Sequence, residues 1–287
     1  MKFYTPLRYP GGKAKFAPFI ASIMESNELS GDYLEPYAGG AGVALYLLFN
    51  DIVPHIHIND FDPAIYDFWM CVTQYPDELL RLIHDTPVNM EQWYYWRNIL
   101  RGEIKTSQVE RGFATLFMNR TNRSGILKGG VIGGQKQNGN YAIDARYKKD
   151  VLKKRIEEIA KLSHKISVYN EDALQLLKNC PTFLKEKSLI YLDPPYYIKG
   201  KGLYRNFYEH DDHKQIAQQL FHITFDISWV VSYDNVSEIQ EIYGLTKQLS
   251  YKLNYTAQKS YIGSEVMFFS NNIIPPSNEV SIFPAAS

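Results

Sequence analysis

The chain has 287 residues, of which 45% are hydrophobic and 22% are charged, and basic and acidic residues number 31 each. These proportions are typical of a globular protein and exclude collagen, coiled coil and wholesale disorder, and no apolar run approaches the roughly 18–20 residues that a membrane helix needs. With only two cysteines, Cys71 and Cys180, we expect no disulfide framework, no cysteine-based zinc site and a reducing, cytoplasmic compartment. We expect no other metal site.

The neutral total conceals an uneven distribution of charge. Residues 118–155 carry ten basic and two acidic side chains, a net charge of +8, which leaves −8 for the rest of the chain. A basic segment on an acidic body is typical of a protein that binds a polyanion, because neutralising phosphates releases counterions. A lysine-rich surface helix over residues 147–161 explains part of this charge, but residues 119–140 have no helical periodicity.

The first quarter of the chain predicts a βαβ unit. We expect a helix over residues 16–26, a short strand over 33–37, a glycine turn over 38–42 and an apolar helix over 43–49. Residues 55–60 alternate polar and apolar side chains, which predicts a half-buried strand, and Pro63 suits the start of the next helix. Strand, glycine turn, helix and strand in this order predict a parallel sheet.

The middle of the chain interrupts the sheet pattern. Residues 76–119 are helical in pattern, and residues 124–141 predict a long glycine-rich loop or hairpin of the kind that is usually functional or disordered. The sheet then resumes, with strands expected over 165–169, 188–192, 228–232, 246–252 and 265–270 and helices over 172–178 and 235–243. We therefore predict an α/β domain from residues 1–72 and 162–287, with a subdomain inserted over residues 73–161.

The glycine turn after the first strand is a candidate ligand site. Gly39, Gly40 and Gly42 would let a ligand approach the backbone closely at a helix N-terminus. Asp60 lies 20 residues after Gly40, at the end of the next strand, where a carboxylate can accept hydrogen bonds from two ribose hydroxyls. This pattern predicts a nucleoside cofactor and leaves NAD, FAD and S-adenosylmethionine open.

A second motif, Asp193-Pro194-Pro195-Tyr196, follows an apolar strand. The two prolines fix the backbone and remove two N–H donors, so the carbonyls of Asp193 and Pro194 are free to face a ligand. The Asp193 carboxylate is a further acceptor, and Tyr196 offers an aromatic face. This set suits a planar ring that carries an exocyclic amino group. A rigid turn, or a ligand for a domain that reads polyproline, is the alternative.

Three motifs occur in a fixed order along the chain. They are Tyr9-Pro10-Gly11-Gly12-Lys13, Glu35-Pro36-Tyr37-Ala38-Gly39-Gly40-Ala41-Gly42 and Asp193-Pro194-Pro195-Tyr196. In this order, and over residues 3–271, the sequence resembles the Dam-type (D12 class) DNA adenine-N6 methyltransferases. The resemblance implies a Rossmann-like, S-adenosylmethionine-dependent methyltransferase sheet with an inserted helical and hairpin DNA-recognition subdomain. It implies methylation of adenine N6 in a specific double-stranded DNA sequence, with base flipping.

The resemblance also implies candidate site residues. Those implied to contact S-adenosylmethionine are Tyr9, Lys13, Glu35, Pro36, Gly40, Gly42, Asp60, Phe61, Asp172, Ala173 and Asp193. Among them, the glycine turn matches the segment of the family that holds the methionine moiety. Asp60 matches the acid that binds the ribose, and Asp172 matches the residue near the cofactor adenine. The catalytic set is Asp193, Pro194, Pro195 and Tyr196. The DNA-binding set is Asn119, Arg120, Asn122, Arg123, Ser124, Lys128, Gln135 and Gln137.

The chemistry of this reaction fits the catalytic motif. Adenine N6 is a poor nucleophile because its lone pair is delocalised into the ring, and hydrogen bonds from N6–H to Asp193 and to the Pro194 carbonyl would favour its attack. Tyr196 would stack on the flipped base. Arginine suits guanine and asparagine or glutamine suits adenine in base readout. Beyond Ser124 the chain departs from the GATC-specific members, so the target sequence stays open.

Several alternatives stay open beside this interpretation. Methylation of cytosine N4 or of adenine in RNA would use similar groups, and a nicotinamide oxidoreductase could use the glycine turn alone. A catalytically silent methyltransferase fold that only binds DNA is the alternative outside enzymes. The expected partners are double-stranded DNA and a cognate restriction endonuclease of a restriction-modification system, and we expect a monomer without a membrane association.

Overall fold

The computed structural model describes residues 3–9, 13–197, 208–223, 227–255 and 261–276. Within these residues the strands are β1 Tyr33–Glu35, β2 Ile56–Asn59, β3 Ile166–Tyr169, β4 Ser188–Leu192, β5 Ile227–Asp234, β6 Lys247–Tyr255 and β7 Tyr261–Phe269. The α-helices are α1 Ala17–Ser26, α2 Gly42–Phe49, α3 Pro63–Gln74, α4 Pro76–Asp85, α5 Met90–Leu100, α6 Gln108–Thr121, α7 Lys149–Ala160, α8 Ala173–Asn179, α9 His210–His222 and α10 Ser237–Tyr243.

The strands form one mixed sheet in the order β3-β2-β1-β4-β5-β7-β6. Strand β1 pairs in parallel with β2 and with β4, and β4 pairs in parallel with β5. Strand β7 lies antiparallel between β5 and β6, with Val231 opposite Phe268. The predicted parallel sheet and the predicted final strand pair are therefore confirmed. Ligands of such sheets bind outside the carboxyl ends of the parallel strands.

The strand predicted over residues 55–60 is confirmed as β2, but the expectation that it is half-buried is wrong, because every residue of β2 is buried. Its polar side chains face protein groups instead of water. Asn59 donates hydrogen bonds to the carbonyls of Pro36 and Glu171, and the ring of His57 packs 4.9 Å from the ring of Phe183. Alternating polarity therefore did not indicate a solvated face, because the polar residues serve internal contacts.

The helical predictions are confirmed with one omission. Pro63 starts α3 behind Asp62, whose side chain accepts from the Ala64 N–H and caps the helix. Ser107 and Glu110 form a reciprocal capping box at the start of α6. The helix α9, with Ile216 and Leu220 on its buried face, is not among the predicted elements.

The chain divides into two compact units. The helical unit comprises residues 1–12, 39–42 and 60–170, and the sheet unit comprises residues 13–38, 43–59 and 171–287. In the helical unit α3 and α6 approach so closely that a Cβ on Gly112 would lie 2.3 Å from Sγ of Cys71. In the sheet unit β4 and β5 are buried along their whole length. The domain bounds 1–72, 73–161 and 162–287 remain a prediction.

The glycine-rich segment after α6 is a loop, as the sequence predicts. It returns on itself through an isolated antiparallel bridge between Asn122 and Val131, and Gly125, Gly133 and Gly134 adopt positive φ angles. None of the helices that the structure describes combines the length and the apolar character that crossing a bilayer requires.

Candidate active site

The Asp-Pro-Pro-Tyr motif begins where the buried strand β4 ends. The first acceptor of the motif, Asp193, keeps 22% of its side chain exposed, and Pro194 is buried. Ser232 on the neighbouring strand β5 donates a hydrogen bond of 2.9 Å to Oδ1 of Asp193. After the motif, the Tyr197 N–H donates to Oδ1 of Asp234 over 3.0 Å. The end of β5 therefore holds both sides of the motif.

Lys13 brings the first motif into contact with the catalytic one. Its Nζ lies 3.3 Å from Oδ1 of Asp193 and 3.3 Å from Oε2 of Glu265. The same ammonium donates a hydrogen bond to the hydroxyl of Tyr196 and lies 4.8 Å from the centroid of that ring. Lys13 is thus a buried cation shared by two carboxylates and one phenol. Pro10, Gly11 and Gly12 of the first motif lie outside the described residues.

Glu265 on β7 completes this cluster. Its side chain is fully buried, and Oε2 accepts a hydrogen bond of 2.8 Å from the hydroxyl of Tyr251 on β6. Neither residue is in the predicted site set. The sequence offers one signal for Glu265. It is an acidic residue at the start of a predicted apolar strand, directly before Val266-Met267-Phe268-Phe269.

Burial and the neighbouring charges shift the ionisation of the cluster. Burial, aided by Glu265, raises the pKa of Asp193, and Lys13 and the Ser232 hydroxyl oppose that rise. Burial disfavours the ammonium of Lys13, but Asp193 and Glu265 outweigh it, so the pKa of Lys13 is raised. Burial, and then Asp193, raises the pKa of Tyr196 well above its ordinary value. Tyr196 is therefore a neutral phenol beside a charged ammonium.

The acid of the second motif is also buried in the sheet unit. Oε2 of Glu35, at the end of β1, accepts a hydrogen bond of 3.4 Å from the Ala44 N–H near the start of α2. Burial raises the pKa of Glu35 well above its ordinary value, with the Ala44 N–H opposing and the charge of Asp193 adding to it. Pro36 follows in the turn, and its carbonyl accepts from Asn59.

The glycine turn and Asp60 form a second cluster, in the helical unit. The Gly39 N–H donates a hydrogen bond of 2.9 Å to Oδ2 of Asp60, and the Asp62 N–H donates over 2.9 Å to Oδ1. Gly39 has φ +46, and a Cβ there would lie 2.7 Å from the ring of Tyr9. The structure thus brings Tyr9, the turn and Asp60 together, as the motif pattern requires.

Asp60 is poised to change charge near neutral pH. Burial raises its pKa to about 7, although the N–H groups of Asp62 and Gly39 partly stabilise the carboxylate. Beside it, Phe61 leaves 55% of its surface exposed. Gly40 is buried without positive φ, and Gly42 is the first residue of α2.

The acid after β3 marks the start of α8. Oδ1 of Asp172 accepts hydrogen bonds from the N–H groups of Leu174 and Gln175, so Asp172 is the N-cap of that helix. Its neighbour Ala173 is buried. Within the described residues, Oε2 of Glu171 is buried and has no hydrogen-bond partner. Such an orphaned acceptor is unusual and is consistent with a ligand donor.

The predicted DNA-binding residues fall into two groups. Asn119, Arg120 and Asn122 are committed to the protein interior. Asn122 is fully buried, where it accepts from Trp93 Nε1 and donates to two loop carbonyls. Arg120 donates to the Pro6 carbonyl, and burial, followed by the charges of Arg155 and Arg8, lowers its pKa to about 9. These side chains brace the loop.

The other members lie on the loop itself. Arg123, Ser124, Lys128 and Gln135 are exposed. Gln137 is half-buried and binds the loop to itself, since its amide donates to the carbonyls of Ile132 and Gly134 and accepts from the Ile143 N–H. Four of the eight predicted residues therefore present free surface to a ligand. Within the described stretches, no three His, Cys, Asp or Glu side chains are grouped so that they could hold a metal ion.

The fold and the motif define an α/β methyltransferase. The strand order carries an antiparallel β7 between β5 and β6, and the Asp-Pro-Pro-Tyr motif stands at the carboxyl end of β4. A family model described as D12 class N6 adenine-specific DNA methyltransferase matches residues 9–257. The chain belongs to this family and is a DNA adenine methyltransferase.

Individual relatives are distant. The Type II methyltransferase M.MjaIII of Methanocaldococcus jannaschii is 20% identical over 242 residues, which cover 77% of this chain and 79% of that protein. A Pyrococcus horikoshii protein provisionally described as an RNA methyltransferase has a TM-score of 0.42 at 10% identity, over 92% of this chain and 84% of that one. The rRNA methyltransferase aviRa of Streptomyces viridochromogenes has a TM-score of 0.35 at 10% identity, over 87% and 82%.

Proposed function

We propose that the protein transfers a methyl group from S-adenosylmethionine to N6 of adenine within a specific sequence of double-stranded DNA, and that it flips the target base out of the duplex. The observation that carries this proposal is the Asp193 carboxylate at the end of β4. Ser232 and Lys13 hold its Oδ1, while part of the side chain remains exposed. An acceptor fixed in this way suits an amino group that must be oriented.

The motif would act on the amino group of the target base. S-adenosylmethionine supplies an electrophilic methyl group on a sulfonium centre. One N6–H donates to Asp193 and the other to the Pro194 carbonyl, which favours a more tetrahedral nitrogen and stabilises the positive charge that develops on it. The lone pair of N6 forms the new N–C bond as the S–C bond breaks and its electron pair stays on sulfur. The nitrogen then loses a proton, so Asp193 need not be a strong base.

The donor and acceptor types in the predicted cofactor set fit this cofactor. Asp60 would accept hydrogen bonds from ribose hydroxyls, since its oxygens are held by two backbone N–H groups. Gly40 and Gly42, in the turn that Gly39 begins, would take the methionine moiety. The exposed ring of Phe61 offers a face on which the adenine could stack. The assignment of Asp172 to the adenine remains a prediction from the family resemblance. The orphaned Oε2 of Glu171 supports a nearby ligand donor.

The exposed loop residues would meet the DNA. Arg123 and Lys128 supply positive charge, and Gln135 has the amide that reads adenine in the major groove. Residues 118–155, with their net charge of +8, would neutralise phosphates on either side. The flipped adenine would stack on Tyr196, because a target atom inside a duplex cannot be reached otherwise.

We also infer the setting of the enzyme. A Type II methyltransferase among its relatives supports a restriction-modification system in which a cognate endonuclease cuts the unmethylated sequence. Its DNA substrate supports a cytoplasmic location. Action as a monomer remains our expectation.

Methylation of genomic DNA by purified protein and S-adenosylmethionine tests the proposal. The DNA should come from a host without adenine methylation and be read by long-read sequencing for modified bases. We expect N6-methyladenine at one short motif and nowhere else, and the motif is the missing target sequence. The Asp193→Ala variant is the matched negative control.

Other outcomes would redirect the proposal. Methyl groups on cytosine N4 would contradict the choice of base, and methyl transfer to RNA alone would contradict the choice of polymer. If calorimetry detects no binding of S-adenosylmethionine while DNA still binds, the fold is a silent DNA-binding one. A nicotinamide oxidoreductase would need the glycine turn alone and would leave the Asp193 cluster without a purpose.

A further inference from the structure

The Asp193 cluster contains a carboxylate that the proposed reaction does not use. Glu265 is fully buried on β7, and it does not belong to the Asp-Pro-Pro-Tyr motif or to the glycine turn. A buried carboxylate is costly unless it is paired and hydrogen-bonded. Here one oxygen, Oε2, accepts from Tyr251 over 2.8 Å and lies 3.3 Å from Nζ of Lys13. This oxygen is therefore fixed at the same cation that Asp193 contacts.

We infer that Glu265 is a positioning residue for methyl transfer. Glu265, Lys13 and Asp193 form a row of three charges, which are negative, positive and negative. This row orients Asp193 and leaves one surplus negative charge beside the amino nitrogen of the target base. The inference rests on the proposed function, because it names how the Asp193 acceptor is prepared for that reaction.

The geometry shows why a second carboxylate matters. If Lys13 were paired with Asp193 alone, its ammonium would approach the Asp193 carboxylate more closely and would compete with the N6–H for the same oxygen. Shared with Glu265, the ammonium stands 3.3 Å from each carboxylate, longer than the roughly 2.7–2.9 Å of a strong charge-assisted hydrogen bond. Asp193 therefore keeps acceptor capacity for its substrate while it remains oriented.

The charge balance points in the same direction. With Asp193 and Glu265 ionised, the three side chains Asp193, Lys13 and Glu265 together carry two negative charges and one positive charge, counted over the described residues. During transfer the amino nitrogen gains positive charge, which a surplus negative charge nearby stabilises more strongly than it stabilises the neutral ground state. A neutral cluster, with glutamine in place of Glu265, would lose this differential effect.

The remaining groups around Asp193 do not replace Glu265. The titratable groups that face Asp193 from the packed elements are Lys13, Tyr33, Glu35, Tyr191, Tyr196, Tyr251 and Glu265. Burial raises the pKa of each of the four tyrosines well above its ordinary value, so they stay neutral. Burial also raises the pKa of Glu35 well above its ordinary value. Among the residues that the structure describes, Lys13 is the only cation of this set.

The Glu265→Gln variant separates this role from a merely structural one. It keeps the size of the side chain and removes the charge. We expect kcat to fall roughly 10- to 100-fold, with KM for DNA and Kd for S-adenosylmethionine within about twofold of wild type. Because the charge of Glu265 disfavours an ionised Asp193, its removal should also move the acid limb of the kcat–pH profile to lower pH. A structural defect alone would not move that limb.

Two further variants secure the result. Glu265→Asp keeps the charge and should restore the position of the acid limb and part of kcat. Tyr251→Phe removes the hydroxyl that fixes Oε2 while keeping the charge, so kcat should fall a few-fold with the limb unmoved. If Glu265→Gln does not fold, Tyr251→Phe decides: wild-type kcat in that variant overturns the inference.

The outcomes distinguish this inference from the proposed function. Wild-type protein that methylates no nucleic acid overturns both. Wild-type turnover together with a Glu265→Gln variant of unchanged kcat and unchanged pH profile overturns only the role of Glu265. A variant whose loss lies wholly in the binding of cofactor or DNA also overturns it, because the role assigned to Glu265 lies in the transfer step.

Discussion

Asn119 holds the backbone of Arg8 from both sides. Its Oδ1 accepts from the Arg8 N–H over 2.8 Å, and its Nδ2 donates to the Arg8 carbonyl over 2.8 Å. The same Nδ2 reaches the carbonyl of Gly125 over 2.9 Å. One buried amide at the end of α6 therefore joins the segment that precedes the first motif to the start of the glycine-rich loop.

From this arrangement we predict that Asn119→Ala destabilises the protein without removing a DNA contact. The substitution leaves three backbone groups without their partner, namely the carbonyl of the buried Gly125 and the N–H and carbonyl of the half-buried Arg8. A buried group left in this way costs about 1–3 kcal/mol. Urea unfolding measures the loss, and Arg123→Ala, on the exposed part of the loop, is the matched control with an unfolding free energy within about 0.5 kcal/mol of wild type. A stable Asn119→Ala variant that loses only DNA affinity would return Asn119 to the interface.

The exposed loop residues should behave in the opposite way. Arg123→Ala and Lys128→Ala each remove a positive charge from a solvent-facing position, so DNA affinity should fall while the free energy of unfolding stays unchanged. If the side chain contacts a phosphate, the slope of log K against log salt should become shallower by about one unit. Fluorescence anisotropy at several salt concentrations measures both quantities.

A lysine outside the loop provides the control for the loss of one positive charge. Lys178 is exposed on α8 in the acidic sheet unit, and Lys178→Ala removes the same charge at a position with no proposed DNA contact. Equal losses of affinity in Lys178→Ala and Lys128→Ala would mean that only the net charge matters and that the loop is not the recognition element.

These contrasts show how far the sequence could go. The order of the three motifs correctly indicated the family, and the strand, turn and helix signals correctly indicated the sheet. Patterns could not indicate which polar residues are consumed by the fold. Asn119 and Asn122 have the residue type that reads bases, but whether an amide faces DNA or a carbonyl depends on tertiary packing.

The same limit applies inside the catalytic cluster. Asp193 and Lys13 are visible because each belongs to a motif. Glu265 and Tyr251 lie on the last two strands without a motif, and only the antiparallel pairing of β6 with β7, which sets Tyr251 opposite Glu265, brings them together. Long-range strand pairing determines such contacts, and a single sequence carries little information about it.

From the proposed ribose contact of Asp60 we predict that cofactor affinity depends on pH. Burial raises its pKa to about 7, so the free protein holds Asp60 partly protonated at neutral pH, whereas ribose hydroxyls need the ionised acceptor. We expect the Kd for S-adenosylmethionine to rise as pH falls below about 7, by up to about tenfold per pH unit. Calorimetry from pH 5.5 to 8.5 measures this dependence.

Two variants test the assignment of that dependence to Asp60. Asp60→Ala should bind more weakly at pH 8 and lose the additional dependence on pH that the wild type shows. Asp62→Asn removes a neighbouring charge that helps to raise the pKa of Asp60 and keeps an oxygen for the helix cap, so it should keep the dependence on pH and shift it to lower pH. An Asp60→Ala variant with wild-type affinity would remove Asp60 from the ribose site.

The first two glycines of the turn should respond differently to the same substitution. Gly39 has φ +46, and a Cβ added to it would lie 2.7 Å from the ring of Tyr9. A Cβ added to Gly40 would lie 3.4 Å from its nearest atoms. Gly39→Ala should therefore destabilise the protein by about 1–3 kcal/mol. Gly40→Ala should fold normally and weaken cofactor binding, since the added methyl group would lie where we propose that the methionine moiety approaches. Thermal unfolding with calorimetry on both variants distinguishes the two effects.

The acceptor role of Asp193 gives the last prediction. Asp193→Ala removes the carboxylate but leaves the prolines of the motif in place, so we expect kcat to fall by at least about 100-fold, the usual cost of losing a preorganised electrostatic group. Its Kd for DNA should stay within a few-fold of wild type. Ser232→Ala is the graded control, because it keeps the carboxylate and removes its 2.9 Å hydrogen bond to Oδ1, together with the contacts of the Ser232 hydroxyl to the Leu192 carbonyl and the Tyr191 hydroxyl. It should cost about tenfold or less. Single-turnover methyl transfer measures both, and an Asp193→Ala variant with near-normal turnover would show that another group accepts the N6–H.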